Sequence, residues 1–536
     1  MYVAKLLTED IPAKILKDCK DAISTPLAIL WKWSMTHGAI PQDLKAQYIA
    51  PIYKKGNKTD PANYRPISLT SHVTKIFERV IRNRLVDFLE HNSLISKTQH
   101  GFRKGRSCLT QLLQHYDSIL HNLNEGFETD VIYLDFAKAF DKVDHKILMQ
   151  KLHNYGIRGQ LYDWIKAFLS NRTQTVVVNG QHSDPRPVIS GVPQGTVLGP
   201  ILFILYINDL HQVVHHCNTG SFADDTKIQK KIDISEDADS VQQDLDNIIE
   251  WTAKNNMLLH QDKFVLLRYK TNKSTMLDAL PFTSHLSEYI TPSGHTLRPQ
   301  STARDLGVEL SSDYKWTVHI NKMVCGARKI ASWVLGVFKD RSKLVMLQLY
   351  KSLVRSRVEY CCPLWNPLNV TDIQTIEDVQ RHFTRRIEGT GDLDYWERLD
   401  VFYLQSLQRR RERYMIIHVW KILNHISPND IGMEFSESLR LGKKVKIPAF
   451  NKEAPLSAVT LYDCSFAVHA GKLWNILPHH VTSVTKLDSF KVQLGKFLRP
   501  IPDKPPVKGY HTTQNRNSII DWWNQSGGLQ NVWRPC

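Results

Sequence analysis

Three aspartates in this sequence have a spacing that suits metal chemistry. Asp135 ends the apolar segment D-V-I-Y-L-D, and Asp224 and Asp225 are adjacent in S-F-A-D-D-T-K. The apolar segment predicts a short buried strand that presents a carboxylate at the edge of a sheet, and the acidic pair predicts a tight turn between two strands. Neighbouring strand ends that carry such acids are suited to hold two Mg²⁺ ions about 3.5–4 Å apart for phosphoryl transfer.

The segment between these acids strengthens the hypothesis, because an Asp pair at a turn is common and weak evidence alone. Residues 190–203 read S-G-V-P-Q-G-T-V-L-G-P-I-L-F, and their first eleven residues hold three glycines and two prolines. This composition predicts a loop of fixed shape, in which glycine permits close approach of the backbone to a ligand. The apolar residues that follow predict a buried helix.

Charge is distributed unevenly along the 536 residues. The chain carries a formal net charge of +16, yet residues 126–250 hold 11 Lys and Arg against 17 Asp and Glu, a net of −6. The remainder therefore carries +22. A basic body around an acidic segment suits an enzyme that binds a polyanion through cations and a metal through carboxylates. Chance variation in surface charge is the plain alternative.

Cysteine usage and hydropathy bear on the compartment. The eight cysteines form no C-x-x-C pair and no zinc-finger spacing, which predicts free thiols in a reducing environment. The first ten residues lack the apolar region of a signal peptide, and the apolar run 201–207 is too short to span a bilayer. We expect a protein of the nucleus and/or cytoplasm that is not secreted and has no membrane partner.

The order of these motifs resembles that of reverse transcriptases. A strand ending in Asp, then S-G-x-P-Q-G-x-x-L-G-P, then F-A-D-D is typical of that family, and the details resemble its non-LTR (LINE-type, jockey-like) retrotransposon branch. Further segments fit the same family: P-I-Y-K-K-G at Pro51, N-Y-R-P-I-S-L at Asn63, Q-H-G-F-R-K-G-R-S at Gln99 and D-L-G-V at Asp305. The resemblance covers roughly residues 10–390.

The resemblance implies an α+β fold, a right-hand polymerase with fingers, a ferredoxin-like palm and a helical thumb. To this we add a mainly helical C-terminal region. The expected segments are an N-terminal helical extension (1–45), fingers (46–125), palm (126–315), thumb (316–390) and a C-terminal region of unknown role with a flexible Pro-rich tail (391–536).

The same resemblance implies roles for the acidic residues. Asp135 and Asp224 would bind both metal ions, Asp225 would assist them, and the Phe136 carbonyl would complete one metal shell. The expected cofactor is a pair of Mg²⁺ ions, with Mn²⁺ as the alternative ion. The expected partners are an RNA template, a DNA primer and dNTPs, and the sequence does not indicate an oligomeric state.

Substrate contacts are implied at five further positions. Phe140 matches the family's steric gate, which excludes the 2′-hydroxyl of a ribonucleotide; a core aromatic is the plain alternative. Gln194 and Gly195 match the loop beside the incoming nucleotide. Arg103 and Lys104 match fingers residues that meet the triphosphate, with a solvated basic face as the alternative.

Lys263 in H-Q-D-K-F matches a lysine that protonates the departing pyrophosphate as a general acid. His260 stands where the family usually has Asn. Residues 306–308 resemble the strand that grips the primer end. The basic run R-R-R-E-R at 409–413 lies in a helical pattern, for which RNA binding and a solvated helix face are equally good interpretations.

Two features usual in complete elements are not found in the sequence, namely an upstream endonuclease and a Cys/His knuckle. We therefore expect a fragment or 5′-truncated copy. The main functional hypothesis is an RNA-directed DNA polymerase. The alternatives are a catalytically silent RNA-binding remnant of such an element and, third, a related palm enzyme such as a group II intron maturase.

Overall fold

A computed structural model describes residues 12–270, 288–367, 369–438, 442–509 and 517–527. The strands, in chain order, are β1 (Ala46–Tyr53), β2 (Tyr64–Leu69), β3 (Glu128–Leu134), β4 (Arg172–Val178), β5 (Gln181–His182), β6 (Arg186–Val188), β7 (Asn218–Phe222), β8 (Asp225–Ile232), β9 (Val265–Tyr269), β10 (Tyr289–Ile290), β11 (Thr296–Leu297), β12 (Pro299–Gln300), β13 (Thr302–Asp305), β14 (Val308–Ser311), β15 (Glu434–Ser438) and β16 (Gly442–Lys446).

Helices fill most of the remaining described chain. In order they are α1 (Ala13–Asp18), α2 (Lys20–His37), α3 (His72–His91), α4 (Cys108–Asn124), α5 (His145–Asn154), α6 (Gly159–Leu169), α7 (Gly199–Ile207), α8 (Ser235–Lys254), α9 (Thr317–Val337), α10 (Lys343–Leu349), α11 (Ser356–Val358), α12 (Val370–Thr384), α13 (Tyr395–Phe402), α14 (Leu407–Leu423), α15 (Leu456–Asp463), α16 (Phe466–Ile476), α17 (His479–Thr482), α18 (Leu487–Leu498) and α19 (Ile519–Gln525). The mixed composition confirms the α+β fold class.

The palm is a sheet with strand order β12-β9-β3-β8-β7. Strand β3 is central and pairs antiparallel with both β8 and β9. Its consecutive residues Val131 and Ile132 are both fully buried, but in different hydrophobic cores. Because successive side chains of a strand point to opposite faces, the sheet must be covered on both sides. That explains why its second half, residues 131–134, is a continuous apolar run.

A second sheet forms the fingers. Its order is β2-β1-β4-β5, with β6 also paired to β4. Strands β1 and β2 form an antiparallel hairpin in which Ile52 lies opposite Arg65, and β4 joins the other side of β1 in parallel. The β1–β2 hairpin brings Arg65 and the basic residues that follow Tyr53 to one end of the sheet.

One hydrophobic core crosses the boundary that we place at residue 390. It joins helix α4, the helices between 317 and 384, and the C-terminal helices through Ile519. Asp117 of α4 accepts the backbone N–H groups of Phe466 at 3.0 Å and Ala467 at 2.9 Å, and so caps the N-terminus of α16. The C-terminal region is therefore built into the same hydrophobic core as the central sheet.

Both sequence interpretations of the basic run at 409–413 are wrong. Arg409 and Arg411 are buried in α14 rather than solvated or open to RNA. Arg409 donates to the carbonyl of Pro502 at 2.8 Å, and Arg410 pairs with Glu359. Arg411 lies 5.7 Å from the ring centre of Trp365. The run is an internal part of the C-terminal core.

The Pro-rich segment that begins at Ile501 is packed, contrary to our expectation of a flexible tail. Ile501, Pro505 and Val507 are buried. The Asp503 carboxylate accepts the N–H of Ser406 at 2.8 Å at the start of α14. Residues 510–516 and 528–536, which also fall in the expected tail, lie outside the described residues, as do residues 1–11 of the expected N-terminal extension.

Candidate active site

The acidic pair lies at the tip of the β7–β8 hairpin. Phe222 pairs with Asp225, so Ala223 and Asp224 form a two-residue turn. Strand β3 ends at Leu134 opposite Thr226 of β8, which places Asp135 next along β3, beside Asp225. Neighbouring strands lie about 4.8 Å apart. The three carboxylates predicted from the sequence therefore share one end of the palm sheet.

A short backbone ladder holds Asp135 in place. The N–H of His260 donates to the carbonyl of Asp135 at 2.9 Å, and the N–H of Ala137 donates to the carbonyl of Leu258 at 2.8 Å. This pattern leaves the carbonyl of Phe136, the residue between them, outside the ladder, as a metal ligand would require. His260 itself is exposed, and it supports the site through its backbone.

Lys263 reaches the first carboxylate. It lies in a single turn of 3₁₀-helix, Gln261–Lys263, and its Nζ is 3.1 Å from an Asp135 carboxylate oxygen. Both side chains are about half exposed, so the pair is accessible to a ligand. The lysine thus contacts the first of the three acids directly.

Electrostatic crowding raises the proton affinity of the acidic pair. Removal of water from its carboxyl group, together with the nearby Asp135 carboxylate, raises the pKa of Asp224. Desolvation and then the carboxylates of Asp224, Asp305 and Asp135 raise the pKa of Asp225 to about 6. Cations of the fingers oppose the shift at Asp224, namely Arg65 and Lys54. A divalent cation between these acids would relieve the repulsion.

The three carboxylates are suitable ligands for a divalent metal ion, although the protein alone does not supply a complete set of ligands. Among the described ranges, no three His, Cys, Asp or Glu side chains stand close enough to form a ready metal site. Asp135 is paired with Lys263 instead. Carboxylates at neighbouring strand ends supply the hard oxygen ligands that such ions prefer, and substrate phosphate oxygens would complete the set.

Phe140 lies in an aromatic group beside these acids. Its ring stacks on Phe203 at 4.3 Å between centroids and meets Phe102 edge-on at 6.5 Å. Phe140 is only partly buried, whereas Phe203 is fully buried. The ring is thus fixed from one side with part of its surface free, which is compatible with both the steric gate and the core-aromatic interpretation.

The glycine-rich loop joins palm and fingers. The Gln194 side-chain amide donates to the Asp141 carboxylate at 3.1 Å, and the Gln194 carbonyl accepts the N–H of Ser68 at 2.6 Å. Gly195 has φ +113°, and a Cβ there would lie 2.5 Å from the Ser68 carbonyl oxygen. Only glycine fits this contact, so the sequence signal at Gly195 has a direct structural cause.

Arg103 in the fingers loop at 103–106 is bound to protein groups. It donates two hydrogen bonds to Glu90, at 2.8 and 2.6 Å, and another to the carbonyl of Ser96 at 2.6 Å. These contacts fix the loop to α3, and the triphosphate contact that the resemblance implies for Arg103 stays a prediction. Lys104 is exposed beside a cleft of about 540 Å³ between this loop and the C-terminal region.

The segment expected to grip the primer is a hairpin of β13 and β14. Leu306 and Gly307 form its turn, with φ of 44° and 86°. The Tyr360 hydroxyl donates to the Leu306 carbonyl at 2.8 Å. Directly before this turn, Asp305 forms a buried ion pair with Lys227 of β8. The hairpin is thus tied to the strand that carries Asp225.

Two contributions to the site were missed or underweighted by sequence reasoning. Glu78 of α3 is fully buried, and one of its oxygens accepts the N–H groups of Val197 and Leu198 at 2.7 and 2.9 Å. Lys54 and Arg65, which belong to the segments P-I-Y-K-K-G and N-Y-R-P-I-S-L, are the cations whose charge acts on Asp224. A buried Glu in an amphipathic helix gives no local signal, because its partners are 119 residues away.

None of the helices in the described ranges combines the length and apolar character that spanning a bilayer requires.

Comparison with known proteins agrees with this geometry. Residues 52–310 match the family model described as reverse transcriptase (RNA-dependent DNA polymerase). The chain is 28% identical over 361 residues to the "Probable RNA-directed DNA polymerase from transposon X-element" of Drosophila melanogaster, covering 65% of this chain and 38% of that protein. It is 27% identical over 405 residues to the "RNA-directed DNA polymerase from mobile element jockey" of Drosophila melanogaster, covering 72% and 43%.

Among solved structures, apo telomerase from Candida tropicalis matches with a TM-score of 0.39 at 11% identity, covering 77% of this chain and 72% of that one. The chain spans less than half the length of the curated relatives it matches. The matched segment contains the palm sheet, the fingers hairpin and the three aspartates. Residues 52–310 are a reverse transcriptase domain, related to those of the non-LTR retrotransposable elements.

Proposed function

We propose that this chain is an RNA-directed DNA polymerase of a non-LTR retrotransposon, which copies an RNA template into cDNA from a DNA primer and dNTPs. The observation that carries the proposal is the meeting of Asp135, Asp224 and Asp225 at one end of the palm sheet, with fingers cations whose charge reaches Asp224. Reverse transcriptases generally depend on a divalent metal, which supports a metal role for these acids.

In this proposal the ions are two Mg²⁺, which activate the primer 3′-hydroxyl and neutralise the triphosphate. Asp135 and Asp224 would hold them, with Asp225 and the Phe136 carbonyl completing the shell. Beyond holding the ions, the protein would position the reacting groups and neutralise their charge, because phosphoryl transfer needs little covalent participation from the protein. Lys54 and Arg65 are placed to meet phosphate oxygens from the fingers side.

Proton transfer would involve Lys263. The primer hydroxyl loses a proton as its oxygen bonds to the inner phosphorus of the dNTP, and pyrophosphate leaves with an extra charge. Lys263 stands 3.1 Å from Asp135, so binding of metal by that carboxylate would free the ammonium group to protonate the leaving group. Phe140 would lie under the sugar, and Gln194 and Gly195 beside the nucleotide, as the resemblance implies.

The test is primer extension on an RNA template with Mg²⁺ and dNTPs. The proposal expects extension by the wild type and loss of extension by Asp224→Ala, with binding of the RNA–DNA hybrid retained in both. Failure of a folded, hybrid-binding wild type to extend the primer with either Mg²⁺ or Mn²⁺ would favour the catalytically silent RNA-binding remnant. The intact acidic set supports the polymerase over that alternative.

A further inference from the structure

The tip of the catalytic hairpin is held from outside by one buried side chain, Gln99. Its amide oxygen accepts the N–H of Ala223 at 2.9 Å and the N–H of Gly101 at 2.8 Å. Its amide nitrogen donates to the Ala223 carbonyl at 3.3 Å. Gln99 has no exposed surface. Both backbone polar groups of the residue before Asp224 are therefore bound by a single side chain.

The segment around Gln99 is fixed to the same sheet. The Ser221 N–H donates to the Thr98 carbonyl at 3.0 Å, and the His100 N–H donates to the Ser221 carbonyl at 2.9 Å. Gln99 thus pairs in parallel with Ser221 at the outer edge of β7. Because the backbone on both sides of Gln99 is hydrogen-bonded to β7, the Gln99 side chain holds Ala223 from a fixed position.

The hairpin needs such a clamp because its turn is strained. Ala223 has φ 57°, in the left-handed region that costs a residue with a Cβ roughly 1–2 kcal/mol. Asp224 and Asp225 also place two like charges side by side at the same hairpin tip, which disfavours this arrangement further. Relaxation of Ala223 would rotate the following peptide and carry the Asp224 carboxylate away from Asp135.

The turn at Ala223 is also held by close packing against the backbone of Gly101. A Cβ at Gly101 would lie 2.5 Å from the Ala223 nitrogen. The backbone of Gly101 therefore touches the turn directly, and no larger residue fits without displacing it. Gln99, through its hydrogen bonds, and Gly101, through its close contact, together hold Ala223 at the hairpin tip in a single position.

We propose that Gln99 is a positioning residue for nucleotidyl transfer, whose amide fixes Ala223 and thereby sets where the Asp224 carboxylate stands. This inference rests on the proposed function. Gln99 touches no reacting atom, and it acts on the reaction only through the hairpin backbone. Partners that orient metal-binding groups typically change metal affinity or activity by about 10–100-fold when they are removed.

A matched control is available in Asn208, which follows α7 and contacts the residues just before Gln99. Asn208 is also a buried amide, and it accepts the N–H of Ser96 at 2.8 Å and donates to the carbonyl of Leu94 at 2.8 Å. Its hydrogen bonds hold the start of the loop but do not reach the hairpin. Asn208→Leu should therefore cost stability much as Gln99→Met does, without altering the metal site.

The experiment compares wild type, Gln99→Met, Gly101→Ala and Asn208→Leu, each bound to an RNA template with a dideoxy-terminated primer. Mn²⁺ binding is titrated by electron paramagnetic resonance, and single-nucleotide incorporation is measured separately with an extendable primer. We expect the Mn²⁺ dissociation constant to rise about tenfold or more in Gln99→Met and Gly101→Ala, with a fall in kcat larger than any rise in the KM for dNTP. Asn208→Leu should match the wild type in both.

Equal Mn²⁺ affinity in wild type, Gln99→Met and Gly101→Ala would overturn the inference, as would an equal loss in Asn208→Leu. Urea unfolding of each variant shows whether the compared proteins are folded. The binding measurement needs no catalysis, so it reports on the clamp even if the wild type extends no primer. Inactivity of the wild type would count against the proposed function instead.

Discussion

Loss of the Glu78 carboxylate should loosen the glycine-rich loop of the active site. Glu78 is fully buried, and one oxygen accepts two N–H groups, of Val197 at 2.7 Å and of Leu198 at 2.9 Å. These residues come directly before α7, so the carboxylate caps that helix and interacts with its dipole. The loop residues Gln194 and Gly195 immediately precede this capped turn.

The cost of Glu78→Leu follows from the groups left behind. Each buried N–H deprived of its partner costs about 1–3 kcal/mol, so two of them cost about 2–6 kcal/mol. Removing the buried carboxylate offsets part of this loss of stability, because burial disfavours the charged form of Glu78 and raises its pKa. We therefore expect a net loss of about 2–4 kcal/mol. Glu78→Gln keeps the shape and an acceptor oxygen, and should lose about 1 kcal/mol.

Amide hydrogen exchange across residues 193–200 is the direct assay. A local loss of about 3 kcal/mol corresponds to roughly a hundredfold faster exchange in Glu78→Leu, since each 1.4 kcal/mol is a factor of ten. The KM for dNTP should rise in the same variant, because Gln194 loses its support. Wild-type exchange rates in a Glu78→Leu protein would refute the reasoning, and equal effects of the Leu and Gln substitutions would refute the role assigned to the hydrogen bonds.

Three further outcomes are expected. Phe140→Val should reduce discrimination against ribonucleotides at least about tenfold, measured as the ratio of kcat/KM for dCTP and CTP; an unchanged ratio would leave Phe140 as a core aromatic only. The pKa of Asp225 is about 6, so below that pH protons should compete with the metal ion for its carboxylate. The Mg²⁺ concentration that gives half-maximal extension should therefore be higher at pH 5.5 than at pH 7.5. The same concentration at both pH values would contradict this. Lys263→Met should slow single-turnover incorporation by about 10²–10⁴-fold with little change in dNTP binding, and a wild-type rate would exclude proton transfer by Lys263.

Much of the catalytic centre could be predicted because its signals are local. The apolar segment before Asp135 is short and continuous, and the fully paired palm strand explains it. The turn at Asp224 follows from an acidic pair between two predicted strands, and the structure has a two-residue hairpin turn there. The restriction at Gly195 follows from its contact with Ser68, which sequence alone could indicate only as a glycine in a fixed loop.

The failures concern charged residues whose partners are distant in sequence. Arg409 donates to the backbone of Pro502 and Arg410 pairs with Glu359, so both basic groups have partners inside the protein. A run of arginines normally predicts a solvated surface, because burial of a charge is costly unless it is paired. The pairing depends on how the C-terminal region folds onto the thumb, which no local pattern reveals.

The central claim is that the acids at the end of the palm sheet catalyse RNA-templated DNA synthesis. The most direct measurement is single-nucleotide incorporation on an RNA template by wild type, Asp135→Asn and Asp224→Asn, with hybrid binding measured in parallel. These substitutions keep the side-chain shape and remove the charge. We predict incorporation by the wild type, a loss of at least about a thousandfold in each variant, and unchanged hybrid binding. Incorporation at the wild-type rate by either variant would contradict the account.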